Sequence, residues 1–177
     1  MRYAVLGSVL LVVPACNEQE TPTGGDFRDV PADMIVVGMT EYMTASGLRR
    51  ARLEGDTAFI YDDSGKVKVK GVNLTIFNDL GAETAKLTSR EGDFNTNDQG
   101  MVARGKVVLN TLTDPPRQIL TEELFYNPQT KRIWSNVETV MIEKGERATG
   151  DGFTADDRFQ DVQVKNLRGR APMRIPF

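Results

Sequence analysis

The stretch RQILTEELFYNPQTKRIWSNVETVMIEKGERATGDGFTADDRFQDVQVKNLRGR, residues 117–170, decides the fold. In its first segment, Leu120, Leu124 and Tyr126 are an even number of residues apart, so they would lie on the same face of a strand. Asn127-Pro128 ends that segment, because proline has no N–H for a strand ladder. Further short segments follow, each bounded by Gly, Pro, Asn or Asp. Period-two alternation between turn residues is typical of half-buried antiparallel strands, so the stretch predicts a twisted all-β sheet.

The chain before this stretch shows the same pattern from Met34 onward. Turn signals recur about every ten residues, which favours a sandwich, jelly roll or barrel over β-α-β units. Within it, Thr40 to Ser46 is predicted to be a turn or a single helical turn. Lys66 to Lys70 alternates strictly, and its three lysines should point outward to protect an edge or a surface.

Composition excludes several classes of function. The chain has 177 residues with a net charge of −3, so nothing suggests a nucleic-acid partner. It contains no histidine, the commonest general base and metal ligand, and Cys16 is its one cysteine. Neither a disulfide framework nor a cysteine-rich zinc site can therefore form.

The N-terminus has the features of an export signal. Residues 1–16 combine a basic start with an apolar run too short to span a bilayer, and the sequence around Cys16 resembles a bacterial lipobox. We predict a lipoprotein-like signal whose Cys16 is lipidated to anchor the protein in a membrane; the alternative is a leader with an incidental thiol. Residues 17–33 are polar and contain two prolines, as expected of a flexible tether.

No catalytic or metal-binding constellation is evident. The acidic pairs Asp62-Asp63, Glu122-Glu123 and Asp156-Asp157 are adjacent residues, which point to opposite faces of a strand or lie in turns. The glycines at 150 and 152 do not form a dinucleotide fingerprint, and no segment has the spacing of an EF-hand loop. We therefore expect no enzymatic activity, no cofactor and no metal.

The last predicted strand, residues 159–167, carries little edge protection. Exposed strand edges can join sheets from different chains. The candidate partner edge comprises Phe159, Val162, Val164 and Leu167. An ordinary last strand buried in its own sheet is an equally good interpretation.

Several motifs together resemble the LptC family, the periplasmic component of bacterial lipopolysaccharide export. The run 120–136 is followed by the short strand 137–142, and Gly150, Gly152, Ala155 and Asp156 match a G-x-G-x-x-A-D segment. Val164, Leu167 and Gly169 then match the family's final strand. The resemblance covers residues 38–170 and is specific after residue 117.

The resemblance implies a twisted antiparallel β-jellyroll over residues 34–170, with an open V-shaped groove and a tail at 171–177. Such a groove would hold the acyl chains of lipopolysaccharide. The N-terminal strands would dock to LptF/LptG-type transporter domains, and the C-terminal strand to an LptA-type periplasmic bridge protein. The protein would stand on the periplasmic side of the inner membrane, anchored by its N-terminus.

The candidates for the groove are apolar residues of the alternating segments, and each could equally be ordinary core. They are Val72, Leu74, Ile76, Val107, Leu109, Leu120, Leu124, Tyr126, Val140, Ile142, Val162 and Val164. Two other functions remain open at this point. One is a surface or periplasmic structural lipoprotein with a filled β-sandwich, and the other is a soluble LptA/OstA-like bridge domain that stacks into fibres.

Overall fold

The structure, a computed structural model, describes residues 31–45 and 47–172. The predicted signal, Cys16 and most of the predicted tether lie outside these residues. The strands are β1 Met34–Ala45, β2 Leu48–Tyr61, β3 Lys66–Phe77, β4 Glu83–Asn95, β5 Met101–Thr111, β6 Arg117–Asn127, β7 Arg132–Ser135, β8 Thr139–Glu143, β9 Glu146–Gly150, β10 Gly152–Asp156, β11 Val162–Lys165 and β12 Gly169–Pro172. A single 3-10 turn, Asp62–Ser64, is the one helical element of the described part. The prediction of an all-β fold is confirmed.

The strands form one antiparallel sheet that forks at β6. From β1 to β6 each strand pairs with the next. The second half of β6, residues 125–127, pairs with β7, which leads to β10 and β11; we call these three strands branch A. The first half, residues 117–121, pairs with β8, which leads to β9 and β12; these form branch B. The sheet does not close on itself.

Buried hydroxyl groups hold the fork together. Thr121 Oγ1 lies 3.0 Å from Ser135 Oγ and also donates to the carbonyl of Glu138 at 3.0 Å. Ser135 Oγ accepts the Val137 N–H at 3.2 Å, and Thr139 Oγ1 donates to the Val137 carbonyl at 3.0 Å. The side chains of Thr121, Ser135 and Thr139 are buried. The hydroxyls thus satisfy backbone groups that the sheet ladder leaves free where the branches diverge.

The sheet is strongly coiled. Arg117 and Asn127 are the two ends of β6 and would be about 33 Å apart in a straight strand. The turn between β10 and β11 lies beside the far end of β6, since Asp157 N–H donates to the Lys131 carbonyl at 3.1 Å. The same turn reaches back to Arg117, whose Nη1 donates to the Phe159 carbonyl at 3.0 Å. Branch A therefore folds over the rest of the sheet, and their apolar faces enclose one core.

The core contains the inward residues of both layers. The buried cluster is Ala51, Leu53, Ala58, Val69, Val72, Leu74, Ala85, Leu87, Phe94, Met101, Ala103, Val107, Leu109, Ile119, Leu124, Ile133, Met141, Ala148, Phe153, Ala155 and Phe159. Its members come from β2 to β6 and from both branches. In the described residues, no helix is long and apolar enough to cross a membrane.

One local prediction was wrong, and another holds in one of its two alternatives. Residues 40–45 continue β1 and pair with β2, so they form neither a turn nor a helical turn; Ser46 lies outside the described residues. Lys66, Lys68 and Lys70 are exposed as predicted, but β3 pairs on both sides and is not an edge. Two of these ammonium groups lie over aromatic rings instead, Lys68 over Tyr61 and Lys70 over Phe59. The lysines therefore cover apolar surface rather than protect an edge.

Candidate lipid groove

Five groove candidates are fully part of the protein core. Val72, Leu74, Val107, Leu109 and Leu124 are at most 5% exposed and pack against one another in the buried cluster. The inward orientation predicted for these residues is correct. In this structure, protein side chains already fill the space they face.

Four other candidates lie at the margin of the core. Ile76, Tyr126, Val162 and Val164 are partly buried and pack against the cluster while retaining accessible surface. Val162 and Val164 belong to β11, the outermost strand of branch A. These four side chains are therefore accessible from the surface, unlike the five in the centre of the core.

The remaining three candidates lie on the opposite face of the sheet. Val140 pairs with Leu120, whereas the neighbouring pair, Ile119 with Met141, points into the core. The assignment of Leu120 to the same face as Leu124 was therefore wrong. Ile142, two residues beyond Val140 on β8, shares its outer face and was misassigned for the same reason.

The change of face occurs within β6 itself. Its buried residues switch parity between Thr121 and Leu124, whereas those of β5 keep one parity from Met101 to Thr111. A register shift accompanies the switch, between Arg104 and Val107 of β5, where Gly105 and Lys106 both have positive φ. The extra residue keeps β5 paired with a strand whose facing has changed.

The sequence interpretation missed apolar residues of β1. Val36, Met39 and Met43 are partly buried against the core cluster, and β1 is the outer strand at the other margin of the sheet. The recurrence of methionine in this segment is the feature of the sequence that could have identified them. Methionine is flexible and polarisable, so it suits a surface that must accommodate variable apolar ligands.

Two surface pockets are lined by none of the groove candidates. One, of about 150 Å³, is lined by Met141, Glu143, Lys144, Glu146 and Ala148. The other, of about 470 Å³, is lined by Thr113, Asp114, Pro115, Arg117, Arg158, Phe159 and Gln160. Among the described residues, no group of three or more acidic, histidine or cysteine side chains is placed to hold a metal ion.

Asp79 and Tyr126 have pKa values shifted by neighbouring charges and by burial. Arg50 forms an ion pair with Asp79, and this pair lowers the pKa of Asp79, with weaker contributions from Arg158 and Lys131. Nearby, burial raises the pKa of Tyr126, and the charge of Asp157 adds to the effect.

The edges of the sheet differ from those predicted. Phe159 is buried in the turn before β11 and forms part of the core, so it cannot belong to a partner edge. Val162 and Val164 do lie on an outermost strand, but β11 has only four residues. Leu167 is exposed and lies between β11 and β12. The chain then crosses to branch B, where β12 extends two residues into the predicted tail.

A solved structure shares this fold. It is LptH of Pseudomonas aeruginosa, described as the LptA-homologous periplasmic component of the lipopolysaccharide transport device. The identity is 16% and the TM-score 0.54, with 72% of this chain and 89% of that chain covered. The predicted jellyroll is thereby confirmed.

The family model described as "Lipopolysaccharide-assembly, LptC-related" matches residues 7–170. No sequence among the curated proteins matches the chain. The family match covers most of the chain, including the glycine segment and the final strands that carried the resemblance. The chain therefore belongs to the LptC-related family of lipopolysaccharide-assembly proteins.

Proposed function

We propose that this periplasmic lipopolysaccharide-transport protein is a non-catalytic acceptor. It takes acyl chains from an inner-membrane ABC transporter and passes them to a periplasmic bridge protein. The observation that carries the proposal is the open sheet, whose apolar inner face remains partly accessible beside two of its three outermost strands, β1 and β11. A closed or fully covered sheet would offer a lipid no such entry.

The lipid would occupy the seam between β1 and branch A rather than the centre of the core. Acyl chains gain about 25 cal/mol for each Å² of apolar surface buried, so a partly accessible apolar wall attracts them. Displacing a packed leucine such as Leu109 would instead forfeit a large share of the folding free energy. On β1, Met39 and Met43 can repack around chains of different length. Binding at a margin is also readily reversible, as transfer between proteins requires.

Two margins of the sheet supply the docking surfaces of the proposal. Among the described residues, β1 pairs only with β2 along its twelve residues, and its other edge suits strand addition to an LptF/LptG-type transporter domain. β11 offers a second edge, which suits an LptA-type bridge protein. Lipidation of Cys16 would anchor the chain on the periplasmic side of the inner membrane.

A filled β-sandwich lipoprotein that transfers no lipid is the second candidate. The observation in its favour is the packed interior, in which Leu74 and Leu109 are almost fully buried. The two functions differ in a measurable way. A filled sandwich predicts no lipid contact anywhere on the inner face, whereas the acceptor predicts contact at its margins.

Photo-crosslinking in cells separates the two functions. A photoreactive amino acid replaces Met39, Val164 or the core residue Leu74, and exposed Lys68 on the outer face serves as control. The acceptor predicts lipopolysaccharide adducts at Met39 and Val164 that depend on ATP hydrolysis by the transporter. It predicts none at Lys68 and fewer at Leu74. A folded protein without adducts at either margin would support the filled sandwich.

A further inference from the structure

The turn between β10 and β11, residues 157–161, contributes an aromatic side chain to the core. Phe159 is 1% exposed, whereas its neighbours Arg158 and Gln160 are exposed to solvent. Every other member of the buried core cluster lies on a strand. Because Phe159 lies in a turn, its ring can leave the core without breaking the pairing of β10 with β11. We call residues 157–161 the Phe159 turn.

The backbone of Phe159 has a conformation that bulky side chains rarely adopt. Its φ of 56° lies in the left-handed region. It is the one aromatic residue with positive φ in the part of the chain that the structure describes. Such a conformation costs free energy and persists only where the surrounding structure holds it. The Phe159 turn is therefore held in place against local strain.

Arg117 supplies the polar contact that holds the Phe159 turn from the side of β6. Its Nη1 donates to the Phe159 carbonyl at 3.0 Å, and its Nε donates to Glu143 Oε2 at 2.6 Å. Arg117 begins β6 and Glu143 ends β8, so the guanidinium joins the end of branch A to branch B. The Arg117 side chain is 14% exposed, which shields both contacts from water. Within the described residues, no other hydrogen bond joins the Phe159 turn to β6 or to branch B.

Open space lies between the Phe159 turn and the β5–β6 connection. Residues of both line the pocket of about 470 Å³: Thr113 and Pro115 belong to the connection, and Arg158 and Gln160 to the turn. The turn also leads directly into β11, which borders the seam proposed for the lipid. Movement of the turn into this space would remove the Phe159 ring from the core and leave apolar walls next to the seam.

We propose that the Phe159 turn is a displaceable plug and that Arg117 is the latch that keeps it closed. An acyl chain that enters along the seam takes the place of the Phe159 ring, and the ring returns when the lipid leaves. This inference rests on the proposed function, because it requires acyl chains in the seam. The exchange replaces one apolar group with another, so little buried apolar area is lost, and the strained φ of Phe159 is released.

The latch sets the apparent affinity for lipid. When a ligand binds only the open form, its apparent Kd is the intrinsic Kd divided by the fraction of the protein that is open. Weakening the Arg117 contacts raises that fraction, so the lipid should bind more tightly. Loss of a residue that merely supported the fold would have the opposite effect, since it would damage the site.

Fluorine NMR on the full-length protein in amphipol measures the position of the ring. 4-Fluorophenylalanine replaces Phe159, and in a second sample it replaces Phe153, which is also fully buried but lies on β10. The ligand is an acylated, phosphorylated glucosamine disaccharide, with its deacylated form as control. The acylated lipid should expose the fluorine at position 159 to a soluble paramagnetic reagent and leave the fluorine at position 153 buried. The deacylated form should change neither signal.

Variants of the latch test its role. Arg117→Gln should expose part of the fluorine signal at position 159 without lipid, and it should lower the Kd of the acylated lipid about tenfold, as expected for loss of a charge-assisted contact. Arg117→Lys, which keeps the charge, should show a smaller effect. Urea unfolding checks that each variant is folded. Glu143→Gln, which weakens only the anchor of the guanidinium, takes the place of Arg117→Gln if that variant does not fold.

Arg104→Gln is the matched control. Arg104 also bridges two carboxylates, those of Asp93 and Glu123, but it lies on the outer face of β5. Its removal should leave the fluorine signal and the Kd unchanged.

The outcomes separate this inference from the proposed function. Lipid binding that leaves the fluorine at position 159 buried, with an unchanged Kd in Arg117→Gln, would overturn the plug and leave the acyl groove standing. Exposure of the fluorines at both positions would also overturn it, because branch A would then open as a whole. Absence of binding of the acylated lipid to any folded variant would overturn the plug and the proposed function together.

Discussion

At the scale of single residues, the glycine segment that marks the family is explained by close packing rather than by chemistry. A Cβ on Gly152 would lie 2.3 Å from the Ser135 carbonyl oxygen, and one on Gly150 would lie 2.3 Å from that of Lys165. The aspartate of the motif is also structural, since Asp156 Oδ1 accepts the N–H groups of Gln160 and Asp161 at 2.7 and 3.0 Å. The motif thus shapes branch A and the turn that contains Phe159.

Gly152→Ala should destabilise the protein by about 3 kcal/mol, because the obstructing atom belongs to the backbone and cannot rotate away. Gly169→Ala is the matched control. Its Cβ would meet no atom within 4 Å, so its free energy of unfolding should stay close to that of the wild type. Urea denaturation of both variants measures the difference. Similar stabilities would contradict the close approach of β10 to β7.

Tyr126 makes the free energy of unfolding depend on pH in the alkaline range. Burial, followed by the charge of Asp157, raises its pKa above the ordinary value of about 10. In the unfolded chain the phenol loses its proton near that value, while the folded protein keeps it. The folded state then holds more protons, so the free energy of unfolding decreases as the pH rises above about 10. Tyr126→Phe should lose less stability than the wild type between about pH 8 and about pH 11. Parallel pH curves would contradict the buried phenol.

At the scale of strands, the fork depends on a few buried hydroxyl groups. Ser135→Ala removes the acceptor of the Val137 N–H and the partner of Thr121 Oγ1. A buried donor left without a partner costs about 1–3 kcal/mol, so we expect a loss of about 2 kcal/mol in urea denaturation. Ser64→Ala, at an exposed serine with a single bond of 3.4 Å, should be nearly neutral. An equal effect of the two substitutions would rule out the hydroxyl cluster as the support of the fork.

Alternation of apolar and polar residues predicted that most of the strands exist. It predicted neither the face of the sheet on which each residue lies nor which strands pair with one another. Val67 and Val69 point inward as expected, since a regular strand keeps its parity. The parity of Leu120 failed because β6 changes its facing between Thr121 and Leu124, beside the bulge at Gly105 and Lys106 of β5. The sequence of β6 does not reveal this change, since Leu120 and Leu124 are an even number of residues apart.

The candidate site was predictable in part for the same reason. Apolar alternation identifies the inner face, and Leu74 and Leu124 do lie there. Whether an inward residue is central or marginal depends on coiling of the whole sheet, which sequence neighbours do not determine. Arg50 illustrates this limit, because a bulge in β2 leaves it without a partner in β1, and its guanidinium pairs with Asp79 in the β3–β4 turn.

At the scale of the whole molecule, stability should fall from the middle of the sheet to its margins. Within the part of the chain that the structure describes, β3, β4 and β5 pair on both sides along most of their length, while β1 pairs only with β2 and β11 only with β10. Local opening of a strand at the margin of the sheet breaks fewer hydrogen bonds and packing contacts than opening of a central strand, so it costs less free energy. Protection from hydrogen exchange should therefore be highest in the central strands and lowest in β1 and β11.

This gradient gives a test of where the lipid binds. An acylated lipid in the seam orders the two walls that it touches, so it should slow exchange in β1 and β11 and leave β4 nearly unchanged. Mass spectrometry of exchanged peptides from the full-length protein, with and without the lipid, measures this, and the deacylated headgroup serves as control. Slower exchange in β4 alone would mean that the lipid enters the packed core around Leu87. That result would require the walls to separate, and it would contradict a marginal groove.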